Sequence, residues 1–231
     1  MTEIFFSVRE VGNYRPIALT SHMGKVIERL VMQRMGVWLE EQRFFSQEQA
    51  GFRSGRSTVD QCLRMSQSIS DGFQRSPMER TVLTLFDYSK AYDTVWRVGL
   101  LRKMANTNIP DRYIRWIKEW LVNRRAKVRY GEGEGRSRCM REGLPQGAVL
   151  SPIFFLIFIN DLFGELDEGS LVSGYADDLA IAVQDHRKER AVERMQLEVD
   201  KVVRWSNRCW LKLSEGKCNI CLYSTDPSES N

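Results

Sequence analysis

Two adjacent carboxylates, Asp177 and Asp178, stand in the run Tyr175-Ala176-Asp177-Asp178 between two apolar segments. Leu171 to Tyr175 and Leu179 to Val183 both have strand character, which leaves Ala176 to Asp178 for the turn of a hairpin. Asp is common in turns for local hydrogen-bonding reasons alone, so the pair acquires chemical meaning only if another rigid element brings a further carboxylate to it. Thr81 to Phe86 reads as a strand that ends at Asp87. Carboxylates from separate strands can hold two Mg²⁺ ions roughly 3.5–4 Å apart, one lowering the pKa of an attacking hydroxyl and the other stabilising a leaving pyrophosphate. Hard oxygen donors suit Mg²⁺, which keeps several waters and takes the rest of its shell from substrate phosphates. Asp93, in the turn-like segment Ser89 to Asp93, is the rival third carboxylate. Asp87 is preferred because a strand end is stiffer than a turn interior.

The elements that must position these groups follow from hydrophobic spacing. Val26, Ile27, Leu30, Val31, Met35, Trp38 and Leu39 recur at helical intervals between Gly24 and Glu41, and Val59, Cys62, Leu63, Ser66, Ile69 and Phe73 do so between Ser57 and Gln74. Between these helices, Gln49 to Thr58 holds two glycines and two arginines, Arg53 and Arg56, before a Ser/Thr cap, the composition of a loop that can approach phosphate. Pro110-Asp111 opens another helix, with Tyr113, Ile114, Ile117, Trp120 and Leu121 on one face. Ala126 to Tyr130 and Ser137 to Glu142 predict a basic hairpin around the glycine-rich tip Gly131 to Gly135. Gly143 to Gly147 breaks the chain ahead of Val149 to Ile159, which predicts a buried helix. Arg187 to Trp205 predicts an amphipathic helix, and Leu211 to Tyr223 two short strands around Glu215-Gly216-Lys217. Helices first, then strands and helices interleaved, is an α+β pattern in which helices back an antiparallel sheet.

Composition narrows the setting. At 231 residues and 42% apolar content the chain can fill a sizeable core. Its longest apolar run, Ala148 to Ile159, is interrupted by Ser151 and Pro152 and falls short of the roughly 20 residues a membrane span needs. Five scattered cysteines argue for a reducing compartment rather than a disulfide framework. Cys218-Asn219-Ile220-Cys221 offers half a zinc site without a second pair nearby, and Ile220 and Leu222 suggest a strand there. The net charge is only +4, yet Arg97 to Arg141 holds 13 Lys and Arg against 4 Asp and Glu, a local +9 that leaves about −5 for the remainder. That asymmetry points to a polyanion-binding surface.

Taken in order, the motifs resemble the polymerase domain of a reverse transcriptase, most closely the non-LTR (LINE-type) retrotransposon group. Asn13 to Leu19 is similar to the family's opening motif, Gly24 to Arg29 to the start of its first helix, and Gln49 to Thr58 to its fingers loop. Phe86 to Asp93 resembles the first metal motif, Gly143 to Gly147 the template-side motif, Tyr175 to Asp178 the second metal motif, and Leu211 to Leu213 with Gly216-Lys217 the segment after it. The resemblance implies an α+β right-hand fold of fingers and palm, with fingers at 1–80 joined by the 124–142 hairpin, palm at 81–123 and 143–223, and a polar tail at 224–231.

It also implies roles. Asp87, Asp177 and Asp178 become the catalytic, metal-binding carboxylates, with Asp178 the least direct ligand. Tyr92 takes the place of an aromatic ring under the incoming sugar, where it would clash with a 2′-hydroxyl; the non-LTR members usually carry Phe there. Gln146 lies by the nascent base pair, while Arg53, Arg56 and Lys217 face the triphosphate. Arg124, Arg125, Lys127 and Arg129 hold nucleic-acid backbone. The implied cofactors are two Mg²⁺ ions, with Mn²⁺ as a substitute, and the implied partners an RNA template, a DNA primer and dNTPs, with no membrane. The implied setting is intracellular, in the nucleus at the site of integration or in the cytoplasm. No thumb, endonuclease, RNase H or zinc-knuckle segment is legible, so the expected chain is a fragment lacking most of the thumb. The alternative to an active RNA-directed DNA polymerase is a truncated, inert nucleic-acid-binding remnant.

Overall fold

A computed structural model describes residues 16–226, so Asn13 to Arg15 of the opening motif and the end of the polar tail lie outside the described residues. Two helices come first. Helix α1 (His22–Glu41) starts where the Ser21 hydroxyl accepts the Gly24 N–H, and α2 (Thr58–Gln74) where the Ser57 hydroxyl accepts the Asp60 N–H. Both are side-chain N-caps that satisfy otherwise orphaned donors. Then follow β1 (Arg80–Phe86), a short α3 (Ala91–Thr94), α4 (Arg97–Ala105) and α5 (Asp111–Leu121). The basic excursion consists of β2 (Arg125–Ala126), β3 (Arg129–Tyr130), β4 (Gly133–Glu134) and β5 (Arg138–Cys139). The remaining elements are α6 (Ser151–Phe163), β6 (Leu171–Tyr175), β7 (Asp178–Asp185), α7 (Lys188–Cys209) and β8 (Asn219–Tyr223).

Strands β6, β7, β1 and β8 form one sheet in that order, antiparallel throughout, with Phe86 of β1 opposite Leu179 of β7 and Leu83 opposite Cys221 of β8. Its two faces carry different loads. Val82, Phe86, Val172, Leu179, Ile181 and Val183 join the main core with α6 and α7, whereas Leu83 and Ala182 pack with Met65 of α2 on the opposite face. Burial from both sides explains why β1 reads as a continuous apolar run rather than as alternation. Helix α6 is apolar and buried on every side from Ile153 to Ile159, with Phe154, Phe155 and Phe158 inaccessible to solvent. Removing each such ring from water contributes about 1.5–3 kcal/mol.

Where the chain departs from the hydrophobic pattern, tertiary contacts are the reason. The basic hairpin holds only two-residue ladders because its residues from Arg125 to Glu142 are all exposed and have no face to bury. Helix α4 has no stripe wide enough to announce it, and is held by burial of Leu100 and Met104. Of the two strands expected between Leu211 and Tyr223, only β8 forms; Leu213 makes a single bridge to Tyr88.

Candidate active site

The hairpin turn is shorter than its sequence suggests. Asp178 is already the first residue of β7, paired with Tyr175, so Ala176 and Asp177 alone make the turn. Ala176 adopts φ +58°, a left-handed conformation that costs a residue with a Cβ roughly 1–2 kcal/mol. The loop between α1 and α2 holds it there. Gln49, only 1% exposed, donates from Nε2 to the Ala176 carbonyl at 3.2 Å and accepts the Ala176 N–H on Oε1 at 3.0 Å. The same Oε1 accepts the Gly51 N–H at 2.9 Å. Backbone bonds flank this clamp, from Ala50 N–H to the Gly174 carbonyl at 2.8 Å and from Gly174 N–H to the Glu48 carbonyl at 2.9 Å. At Gly51 the two chains run so close that a Cβ would collide with the Ala176 backbone nitrogen, which leaves glycine as the residue that fits.

Asp87 follows the last residue of β1 and is half-buried. One step past the Phe86–Leu179 pair, the antiparallel register sets Asp87 against Asp178. Its carbonyl accepts the Ser214 N–H at 2.8 Å, and the Ser89 N–H reaches the Lys212 carbonyl at 2.8 Å. These bonds draw the segment that carries exposed Lys217 alongside the strand end. Asp178 is exposed and helps line a cavity of about 580 Å³ between α2 and the sheet, together with Leu85 and Tyr175. Asp177 is half-buried and acts on another neighbour: burial raises the Tyr92 hydroxyl pKa well above its ordinary 10, and the Asp177 charge adds to the rise. The Tyr92 ring stacks on Phe155 at 4.7 Å, and its buried hydroxyl has no hydrogen-bond partner among the described residues.

The loop Gly143 to Gly147 folds onto the segment after Asp87, with Leu144 N–H donating to the Tyr92 carbonyl at 2.6 Å and Gly143 N–H to the Val95 carbonyl at 2.9 Å. Gln146 Nε2 then donates to Asp93 Oδ1 at 2.9 Å. Asp93 is thus engaged by an amide, and Gln146 is held beside the segment that carries Tyr92. Among the described residues no group of three or more His, Cys, Asp or Glu side chains gathers into a metal-holding cluster. Carboxylate oxygens such as those of Asp87, Asp177 and Asp178 have the chemistry Mg²⁺ prefers, which leaves its remaining positions to water and phosphate.

The expected phosphate contacts divide. Arg53 is a correction: its side chain turns inward, bonding both oxygens of Glu40 at 2.8 Å and the carbonyls of Ser46 and Gln49 at 2.7 and 3.0 Å, with the guanidinium over the Phe45 ring. Its fork is filled by the protein, because the loop that must hold Gln49 needs its own carbonyls satisfied. The Arg53 bond in turn keeps the Glu40 carboxyl below its ordinary pKa of 4.5. Arg56 bonds Gln47 at the surface, through its carbonyl and Oε1. Arg97, counted in the basic region, is buried with its donors on the carbonyls of Gly143, Leu121, Met140 and Glu142. Arg124 lies 4.5 Å over the Trp120 ring and bonds its carbonyl, and burial lowers its pKa. Arg125, Lys127 and Arg129 are exposed on the hairpin, Arg125 bonded to Ser137 and Lys127 paired with Glu134 at 3.1 Å.

Sequence reading missed Gln49 as a functional residue and treated Arg53 as a ligand. A polar residue ahead of a glycine that must meet another backbone is the only local signal, and it specifies no partner.

A family model described as reverse transcriptase (RNA-dependent DNA polymerase) matches residues 8–229. The chain is 33% identical over 211 residues to the probable RNA-directed DNA polymerase from transposon BS of Drosophila melanogaster, covering 89% of this chain and 23% of that protein. It is 28% identical over 215 residues to the RNA-directed DNA polymerase from mobile element jockey of Drosophila funebris, covering 90% and 23%. It therefore spans under a quarter of the length of these relatives. Among solved structures, apo telomerase from Candida tropicalis, truncated from its C-terminal domain, superposes with a TM-score of 0.64 at 15% identity over 88% of this chain and 41% of that one. Sequence motifs, sheet order and relatives all lead to one conclusion: the chain belongs to the reverse transcriptase family, as a polymerase domain of the non-LTR retrotransposon type.

Proposed function

We propose that this domain catalyses RNA-directed DNA synthesis, adding a dNMP to a primer 3′-OH opposite an RNA template. The observation that carries the reading is the antiparallel register of β1 and β7, which brings the end of β1, just before Asp87, to the start of β7 beside the turn that holds Asp177. In this reading Asp87 and Asp177 hold two divalent ions, Mg²⁺ or Mn²⁺, with Asp178 in support. Those ions, when bound, lower the pKa of the primer hydroxyl and stabilise charge on the leaving pyrophosphate. The ring of Tyr92, held flat by Phe155, forms the floor under the sugar and disfavours a 2′-hydroxyl. Gln146, oriented by Asp93, presents its amide oxygen to the nascent pair. Arg56 and Lys217 meet the triphosphate, and Arg124, Arg125, Lys127 and Arg129 follow the phosphates of template and primer. Residues 1–80 with 124–142 act as fingers, and 81–123 with 143–223 as palm. The site of action is intracellular, at the nuclear integration site or in the cytoplasm.

Primer extension on an RNA template, comparing the wild-type chain with Asp177→Ala, tests this. Loss of extension in the variant is expected; equal extension by both proteins would remove Asp177 from the mechanism. Salt-sensitive duplex binding without nucleotide addition, at saturating Mg²⁺ and dNTP, would mark an inert binding remnant instead.

A further inference from the structure

Trp96, at the start of α4, and Trp210, at the end of α7, stack with centroids 5.5 Å apart and planes 16° from parallel. Trp210 is 66% exposed, so one face of its indole rests on Trp96 and the other meets solvent. The stack has a foundation. A Cβ at position 99 would collide with the Trp96 ring, and Gly99 thereby lets that ring lie flat on α4. Trp210 caps α7 at φ +58°, a position that helices usually give to Gly or Asn, and Lys90 nearby has φ +51°. Left-handed backbone at two residues with side chains is a strain that tends to persist where a site needs it.

The surroundings are basic. Trp210 and Lys212 are exposed on either side of buried Leu211, two residues apart at the surface. The Ser89 N–H to Lys212 carbonyl bond brings exposed Lys90 to the same neighbourhood. Neither lysine forms an ion pair among the described residues. A flat ring with one open face beside two uncompensated cations has the chemistry of a stacking platform for single-stranded nucleic acid, where bases stack without sequence preference and phosphates meet lysine.

We propose that Trp210, backed by Trp96 and flanked by Lys90 and Lys212, is a stacking site for an unpaired base of a single strand. The inference rests on the nucleic-acid reading above and adds a site outside the catalytic groups. A single strand is favoured over a free nucleotide because the lysines lie on two separate segments, suited to successive phosphates.

The test measures binding of a short oligo(dA) or oligo(rA), of dATP, and of a blunt RNA–DNA duplex at fixed salt, by fluorescence anisotropy for the nucleic acids and by competition for dATP. Trp210→Ala should weaken oligonucleotide binding about 5- to 100-fold, the range of one stacked base, with blunt-duplex binding unchanged. Trp210→Phe keeps a stacking ring and should bind within about three-fold of wild type, which separates a lost base contact from a lost fold. Lys90→Ala with Lys212→Ala should lower the salt slope for the oligonucleotide by about 1.4, at roughly 0.7 per phosphate contact. Equal weakening for oligonucleotide and blunt duplex, or weakening for dATP alone, would overturn the platform. So would unchanged oligonucleotide binding by Trp210→Ala in a protein that still extends primers, an outcome that leaves the polymerase reading standing.

Discussion

Gln49 grips Ala176 by both backbone polar groups, donating to its carbonyl at 3.2 Å and accepting from its N–H at 3.0 Å across 127 positions of sequence. The turn that aims Asp177 is therefore set by a residue from the loop between the first two helices. Gln49→Ala strands three buried backbone groups, the Ala176 carbonyl and the N–H groups of Ala176 and Gly51, each at a cost of about 1–3 kcal/mol, and frees the turn. The expected result is a 10- to 100-fold fall in kcat for nucleotide addition, corresponding to about 1.4 kcal/mol per tenfold, with the dNTP KM within about two-fold. Steady-state primer extension measures both, and a change in KM alone would contradict the clamp.

Gly51→Ala tests the same junction by steric means. The added methyl meets the Ala176 nitrogen, which is backbone and cannot rotate away. A loss of about 2 kcal/mol or more in unfolding free energy is expected, in the range of overpacked sites. A thermal or urea melt superimposable on wild type would show that the two loops separate readily.

Arg53 and Arg56 should behave oppositely. Arg53→Ala removes the partner of the Glu40 carboxylate and of the Gln49 carbonyl, while the Ser46 carbonyl keeps the Gln49 N–H, and because Glu40 is partly exposed the expected cost is about 2 kcal/mol, below that of a fully buried pair. Arg56→Ala should leave the melting temperature in place and raise the dNTP KM. There is a pH signature as well. The Glu40 pKa is depressed in the folded chain, so its contribution is complete above about pH 4.5 and lost as the pH falls below that value. The stability gap between wild type and Arg53→Ala should narrow on acidification, as thermal melts across pH 3 to 7 would record.

Tyr92 carries a buried hydroxyl without a hydrogen-bond partner among the described residues, so Tyr92→Phe should be neutral or stabilising by up to about 1 kcal/mol and keep extension near wild type. Tyr92→Val removes the ring stacked on Phe155 and should raise rNTP incorporation relative to dNTP by at least about tenfold, since the steric exclusion is lost. The hydroxyl pKa is raised in the folded chain, so the stability it contributes is complete below pH 10 and declines above it. Tyr92→Phe should flatten that alkaline decline; single-nucleotide incorporation and alkaline melts distinguish these outcomes.

The three carboxylates should not be equal. Asp87→Asn and Asp177→Asn should each remove several kcal/mol of charge stabilisation and abolish measurable extension. Asp178 begins β7 and faces the cavity beside α2, so Asp178→Asn should retain a measurable fraction. Complete loss in all three, at unchanged melting temperature, would place Asp178 among the metal ligands.

Much of this domain is written in local pattern. Helices α1, α2, α5, α6 and α7 follow from spacing and caps, and β1, β6 and β7 from apolar runs closed by Asp or turn residues. The motif order identified the family, and the places of Asp87 after a strand and of Asp177 in a hairpin turn were legible because strand ends and turns are local features. Helix α4 was not legible, since its few buried residues form no stripe, and the basic hairpin was over-read because alternation without a face to bury does not hold a long ladder.

The sequence alone determined the chemistry available: adjacent carboxylates on a hairpin, a third at a strand end, and a basic stretch from Arg97 to Arg141. Only tertiary structure decided which of those groups are presented and which are consumed. Arg53 and Arg97 are turned inward because buried carbonyls need donors, and Gln49 reaches Ala176 because two loops far apart in sequence meet at Gly51. A side chain's type is a local property, whereas the demand of buried backbone for hydrogen-bond partners exists only once the chain has closed on itself.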